Sequence, residues 1–135
     1  DEKEYWQKVS HEEHWDNLKK QSEAFWIIVK EKINEILTNE QPVIFEGVNL
    51  LPHLIAEIPI KGIILLGESE DVVLERNRKY PRWGKTKDLQ KMEAKFFFQC
   101  ERPIYKKEAE KYGIKTFTNS EEAEKELLRL MGYKK

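Results

Sequence analysis

A single cysteine, Cys100, in a chain of 135 residues rules out an internal disulfide and favours a reducing compartment, the cytoplasm. No apolar run approaches the ~20 residues needed to span a bilayer. No signal-peptide pattern opens the chain either. An excess of either charge is also lacking. The 24 basic and 25 acidic residues leave a net charge of -1, which gives no overall pull toward nucleic acid. Internal repeats, linkers and low-complexity segments are missing. The first residue is Asp1 rather than Met, so the chain is expected to be a fragment, a processed form or a renumbered chain.

What is present suits one soluble globular domain spanning 1–135. Hydrophobic residues make up 39% and charged residues 36%, with four Trp, five Tyr and six Phe, enough for one core and too little chain for two. The charges are unevenly placed. Residues 1–41 carry ten acids against six bases, whereas residues 76–91 carry seven bases and one acid, Asp88. A local basic stretch in a neutral protein points to a specific anionic ligand.

Ser10 and Glu13 have capping-box spacing. Trp15, Leu18, Phe25, Val29, Ile33 and Ile36 recur at helical intervals. Together they predict a helix over residues 10–38, ~40 Å long at ~1.5 Å per residue. Val43 to Phe45 reads as a short buried strand ending at Glu46 and Gly47. A short helix follows from near Pro52 to Ile58. The continuous apolar run Ile60 to Leu66 suits a strand buried on both faces. Ser69 caps a helix that stops by Tyr80, before Pro81. Thr86 caps the next, with Leu89, Met92, Phe96, Cys100 and Ile104 on one face and Pro103 kinking or dividing it. Gly113 closes that helix. Ile114 to Phe117 is a third strand, and a last helix capped by Asn119 or Ser120 runs to Gly132. The alternation predicts a three-layer α/β/α fold with a small, mainly parallel sheet.

Glu46, at the carboxyl end of an apolar strand, is the first candidate for chemistry, because open α/β sheets bind ligands there. Gly47 would let a ligand approach the backbone. Arg76, Arg78, Lys79, Arg82 and Lys85, grouped around Pro81, Trp83 and Gly84, are the second candidate. Arginine grips phosphate with two donors at once, and several together offset a developing charge. Gly84-Lys85-Thr86 mimics the end of a P-loop, yet Lys79 stands where the pattern needs its first glycine, and no strand precedes it. His11 and His14 have neither zinc-protease spacing and are read as solvated. His53 lies close to Glu46 and Asn49 in sequence and is a candidate for substrate contact. Cys100 is read as a core residue and the aromatics as core or partner-facing surface.

The segment Val43-Ile-Phe-Glu-Gly-Val-Asn-Leu-Leu-Pro-His53 resembles a signature of the P-loop kinase superfamily, in particular its 2-phosphoglycerate kinase-like branch. Ile63 to Leu66 is similar to the next core strand, Glu68 to Arg82 to the arginine-bearing lid, and Ile114 to Asn119 to the last strand and the loop near the base. The likeness covers roughly residues 15–131. It implies an ATP- and Mg2+-dependent transfer to a small hydroxyl- or phosphate-bearing acceptor. It further implies catalytic roles for Glu46, Arg76 and Arg82, substrate contacts for Asn49, His53 and Arg78, and cofactor contact for Asn119. The family's first strand and Walker A loop have no counterpart here, so little or no activity is expected of the chain alone. The alternative is a non-catalytic binding or assembly module that pairs through its long helix, as a homodimer for example. Neither nucleic acid nor membrane is expected as a partner.

Overall fold

The computed structural model describes residues 1–39 and 41–133. Helix α1 spans Glu2–Lys8 and α2 spans His11–Ile36, and the short α3 covers Pro52–Ile55. Strand β1, Ile63–Leu65, is followed by α4, Glu70–Lys79, and α5, Lys87–Phe96. A π-helical turn, Phe97–Glu101, joins α5 without a break to α6, Arg102–Lys111. Strand β2, Lys115–Phe117, and helix α7, Ser120–Leu130, complete the order.

The caps follow the sequence chemistry. Ser10, Ser69 and Thr86 accept hydrogen bonds from the amides of Glu13, Val72 and Leu89, three residues on. Asn119 accepts from the amides of both Glu121 and Glu122. Each side chain satisfies a helix-start N–H that has no partner within the helix.

The three-layer α/β/α expectation does not hold. Helices make up 63% of the described residues, and the sheet among them has only two strands, β1 and β2. They run parallel, with Ile63 opposite Lys115 and Leu65 opposite Phe117. Val43 to Phe45 is not a strand. All three side chains are exposed, and no backbone N–H or C=O from Val43 to Gly47 finds a backbone partner among the described residues. The apolar run from Ile60 is a strand only from Ile63, and Leu65 is 41% exposed, so it is not buried on both faces.

The core lies where α2 crosses α3 and α6. Trp26, Val29 and Ile33 of α2 pack with Leu51, Leu54, Ile58, Leu66 and Tyr105, with Trp15 and Leu18 at the margin. The buried stripe on α2 uses Ser22 and Trp26, while Phe25 is half exposed. Trp26 Nε1 donates to Glu57 at 2.9 Å, giving the indole N–H a partner as it enters the core. Tyr105 donates its hydroxyl hydrogen to the Val48 carbonyl at 2.7 Å and ties the loop before α3 to α6.

Helical structure runs from Lys87 to Lys111 without a gap at Pro103, through a π turn that separates α5 from α6. Proline removes one helical hydrogen bond, and its ring crowds the carbonyl four residues back. The π turn widens the helix just before it: the Arg102 amide bonds the Phe97 carbonyl, five residues back. The turn also sets Cys100 and Glu101 toward α2, where Cys100 Sγ approaches the His11 carbonyl at 3.5 Å.

Candidate functional site

The basic residues sit at a tight joint between α4 and α5. The Tyr80 amide closes α4 on the Arg76 carbonyl at 2.8 Å. On the α5 side, Gly84 is held twice: its amide donates to Glu93 Oε1 at 2.5 Å, and its carbonyl accepts from Gln90 Nε2 at 3.2 Å. Gly84 is buried, and a Cβ on it would lie 2.6 Å from Leu89 Cβ and 2.9 Å from Glu93 Oε1, so only glycine fits. Pro81, Arg82 and Trp83 bridge these anchors.

Arg76 and Arg82 lie on the two sides of this joint, near enough for the charge of one to act on the other. Arg76 has its affinity for a proton lowered first by desolvation and second by the positive charge of Arg82, although the residue as a whole remains exposed. Neither arginine, nor Arg78, lies within salt-bridge distance of a carboxylate among the described residues. By contrast Arg129 is engaged by Glu126, whose carboxyl it holds down to about 2 together with Lys115. Two like charges left together without a counter-charge raise the local potential and favour an anion.

The other residues singled out from sequence are scattered. Glu46 is exposed on the loop that replaces the expected strand, with no hydrogen bond or ion pair among the described residues, and Asn49 is half-buried further along it. His53 pairs with Glu23 of α2 at 3.1 Å. Asn119 uses its oxygen as the α7 cap and its amide to donate to Glu68 at 2.9 Å, which joins the carboxyl ends of the two strands. No hydrogen bond or ion pair links Glu46, Asn49, His53 or Asn119 to the arginine joint among the described residues.

His14 is not solvated. It is buried, its Nε2 lies 2.6 Å from Glu101 Oε1 and its Nδ1 lies 2.7 Å from the Tyr5 hydroxyl. Trp6 and Phe96 pack on its ring, with centroids at 5.4 and 4.8 Å. His11 also meets Phe96 edge-on, and both ring nitrogens of His14 are already taken by Tyr5 and Glu101. The cue in the sequence is faint: His14 falls on the α2 stripe four residues before Leu18, but a histidine there also reads as a helix-surface residue.

Among the described residues, no group of three or more His, Cys, Asp or Glu converges to hold a metal ion. The Gly84 amide, which a P-loop would aim at phosphate, is taken by Glu93. The Gly84 segment therefore does not fit the phosphates of Mg2+–ATP in the manner of a P-loop. No described helix is long and apolar enough to cross a membrane. No family model, no curated protein and no solved structure matches this chain.

Proposed function

We propose that this chain supplies the phosphate-clamping arginines of a phosphotransferase that acts on a small phosphate- or hydroxyl-bearing acceptor, and that it transfers no phosphoryl group by itself. One observation carries the reading: Arg76 feels the charge of Arg82 across a loop anchored on both sides, and neither is in salt-bridge reach of a carboxylate among the described residues. Guanidinium groups paired in this way bind phosphate oxygens through charge-assisted hydrogen bonds. In phosphoryl transfer such a pair also offsets the charge on the migrating group. The likeness of Glu68 to Arg82 to a kinase lid supports the same reading, whereas Arg78, two residues from Arg76 on α4, points to another side of that helix.

Calorimetric titration with pyrophosphate tests it. Binding is expected for the native chain, with a loss of about tenfold or more in Arg76→Ala and in Arg82→Ala. Arg129→Ala, which removes a guanidinium already neutralised by Glu126, leaves it unchanged. No binding by the native chain, or an equal loss in Arg129→Ala, overturns the proposal.

A second reading, the assembly module, has its own support. Val43, Ile44 and Phe45 are exposed and have no backbone partner among the described residues, and Ile27 and Ile28 of α2 are 73% and 65% exposed. Unpaired apolar surface of this kind marks protein contacts. Sedimentation velocity over a range of concentrations separates the two: a monomer at all concentrations that binds pyrophosphate excludes the module, and a tight dimer without anion binding excludes the clamp.

A further inference from the structure

We infer that Glu93 is the positioning residue of the arginine joint: by taking the Gly84 amide it fixes Arg82 beside Arg76. The inference rests on the anion-binding reading of those two arginines.

Glu93 is a carboxylic acid with 7% of its surface exposed, on the inner side of α5, and it forms no ion pair with any base among the described residues. Burying a carboxyl group is costly unless its oxygens are used. Oxygen Oε1 accepts from the Gly84 N–H, which ties the acid to the loop, and the carboxyl also meets that of Glu2. Burial is the main influence that raises its proton affinity. The Gly84 N–H opposes that effect, and the neighbouring Glu2 carboxyl of α1 adds to it.

What Glu93 controls follows from the length of the loop. Residues Pro81, Arg82 and Trp83 run between two fixed points, the Tyr80 amide on the Arg76 carbonyl and Gly84 on Glu93 and Gln90. Pro81 contributes a locked φ of about -65°. A three-residue span with one dihedral locked and both ends tied has little freedom, so the backbone of Arg82 is placed by its anchors. Arg82 has no ion pair of its own to hold it there among the described residues. Without the Glu93 carboxyl, Gly84 keeps only the Gln90 bond to its carbonyl, and its buried amide is left without a partner. The amide then turns to water and the span can swing. Arg82 moves away from Arg76, because their like charges repel.

The native side chain also explains why the G-K-T segment is not a phosphate loop. Its glycine is present for close packing against Leu89 and Glu93, and its amide faces inward. The anion site lies on the arginine side of the same loop, and the carboxylate on the other side sets its geometry.

The experiment is a double-mutant cycle on sulfate binding, sulfate being chosen because its charge is constant across neutral pH. The proteins are the native chain, Glu93→Ala, Glu93→Gln, Arg82→Ala and the double variant Glu93→Ala/Arg82→Ala. Sulfate affinity is expected to fall about tenfold in Glu93→Ala. It returns to within about twofold of native in Glu93→Gln, whose amide oxygen still accepts from Gly84. Glu93→Ala has no further effect once Arg82 is gone, the pattern of two residues acting as one. An equal loss in both backgrounds overturns the inference, because Glu93 would then act on stability alone.

A second measurement needs no alanine variant. In the native chain the Gly84 amide proton and the Arg82 Nε–H resonance are followed by NMR as Glu93 is titrated, with Glu93→Gln as the control. Both are expected to move with one midpoint in the native chain and not in Glu93→Gln. Movement of Gly84 without Arg82 overturns the inference. This readout does not require sulfate to bind. Failure of the anion-binding reading, seen as no sulfate binding by the native chain, is thus distinguished from failure of the Glu93 link.

Discussion

The Nε2 atom of His14 lies 2.6 Å from Oε1 of Glu101, 87 residues further along the chain, and this bond joins α2 to the π turn. The Tyr5 hydroxyl on the other ring nitrogen can donate to a neutral imidazole or accept from a charged one, so both protonation states of His14 are satisfied without movement.

Removing the ring leaves Glu101, with 19% of its side chain exposed, without an ion-pair partner among the described residues. His14→Ala is expected to lose about 3 kcal/mol of unfolding free energy, the low end for breaking a buried pair. Glu101→Gln, whose amide oxygen still accepts from Nε2–H, loses less than half of that. Urea denaturation of both variants checks the order, and equal losses would contradict it.

Gly84→Ala puts a methyl group 2.6 Å from Leu89 Cβ and 3.2 Å from the Leu89 backbone carbon. The backbone contact cannot relax by a rotamer change, so a loss of about 2 kcal/mol is expected. Sulfate affinity falls with it, since the loop must move. Thermal unfolding monitored by circular dichroism gives the first number and calorimetry the second.

The Glu93 carboxyl has a folded-state proton affinity above its unfolded one. The folded chain therefore binds more protons between the two values, and stability falls as pH rises from the unfolded value through the folded one. Glu93→Gln escapes that loss. It is expected to unfold at a higher temperature than the native chain near pH 8, with the gap narrowing toward pH 4. A constant gap across that range would show that ionisation of Glu93 has no part in stability.

Cys100 is 2% exposed, and burial, with the Glu101 charge second, pushes its thiol up to about 11. The thiolate is the reactive form, so the native thiol resists Ellman's reagent at pH 8. It reacts at the rate of a free thiol once guanidinium chloride unfolds the chain. Rapid modification of the folded chain would contradict the burial.

The elements that sequence reading found are those whose signals are local. Ser10, Ser69, Thr86 and Asn119 each announce a helix start by a side chain that reaches an amide two or three residues away, and all four do so. Val43 to Phe45 reads as a strand because its residues favour β structure, but a strand exists only through its partner, and no backbone partner is present among the described residues. On α2, both Phe25 and Trp26 suit the stripe, and the choice falls to Trp26 because Glu57 offers its N–H a partner from a distant element. The arginines of the candidate site were legible as a cluster of like charge. Glu93 was not, because a glutamate in a charged helix looks like a solvated one until the loop that it holds is seen to fold back.

The bare segment before α3 also has a consequence for how the chain meets proteases. These enzymes take their substrates as backbone with free amides, and the amides of Val43 to Gly47 have no backbone partner among the described residues. Phe45 gives a chymotrypsin-type enzyme its preferred side chain there. A cut after Phe45 leaves two pieces that do not fall apart, because Trp26, Val29 and Ile33 on one remain packed against Leu54, Ile58 and Tyr105 on the other.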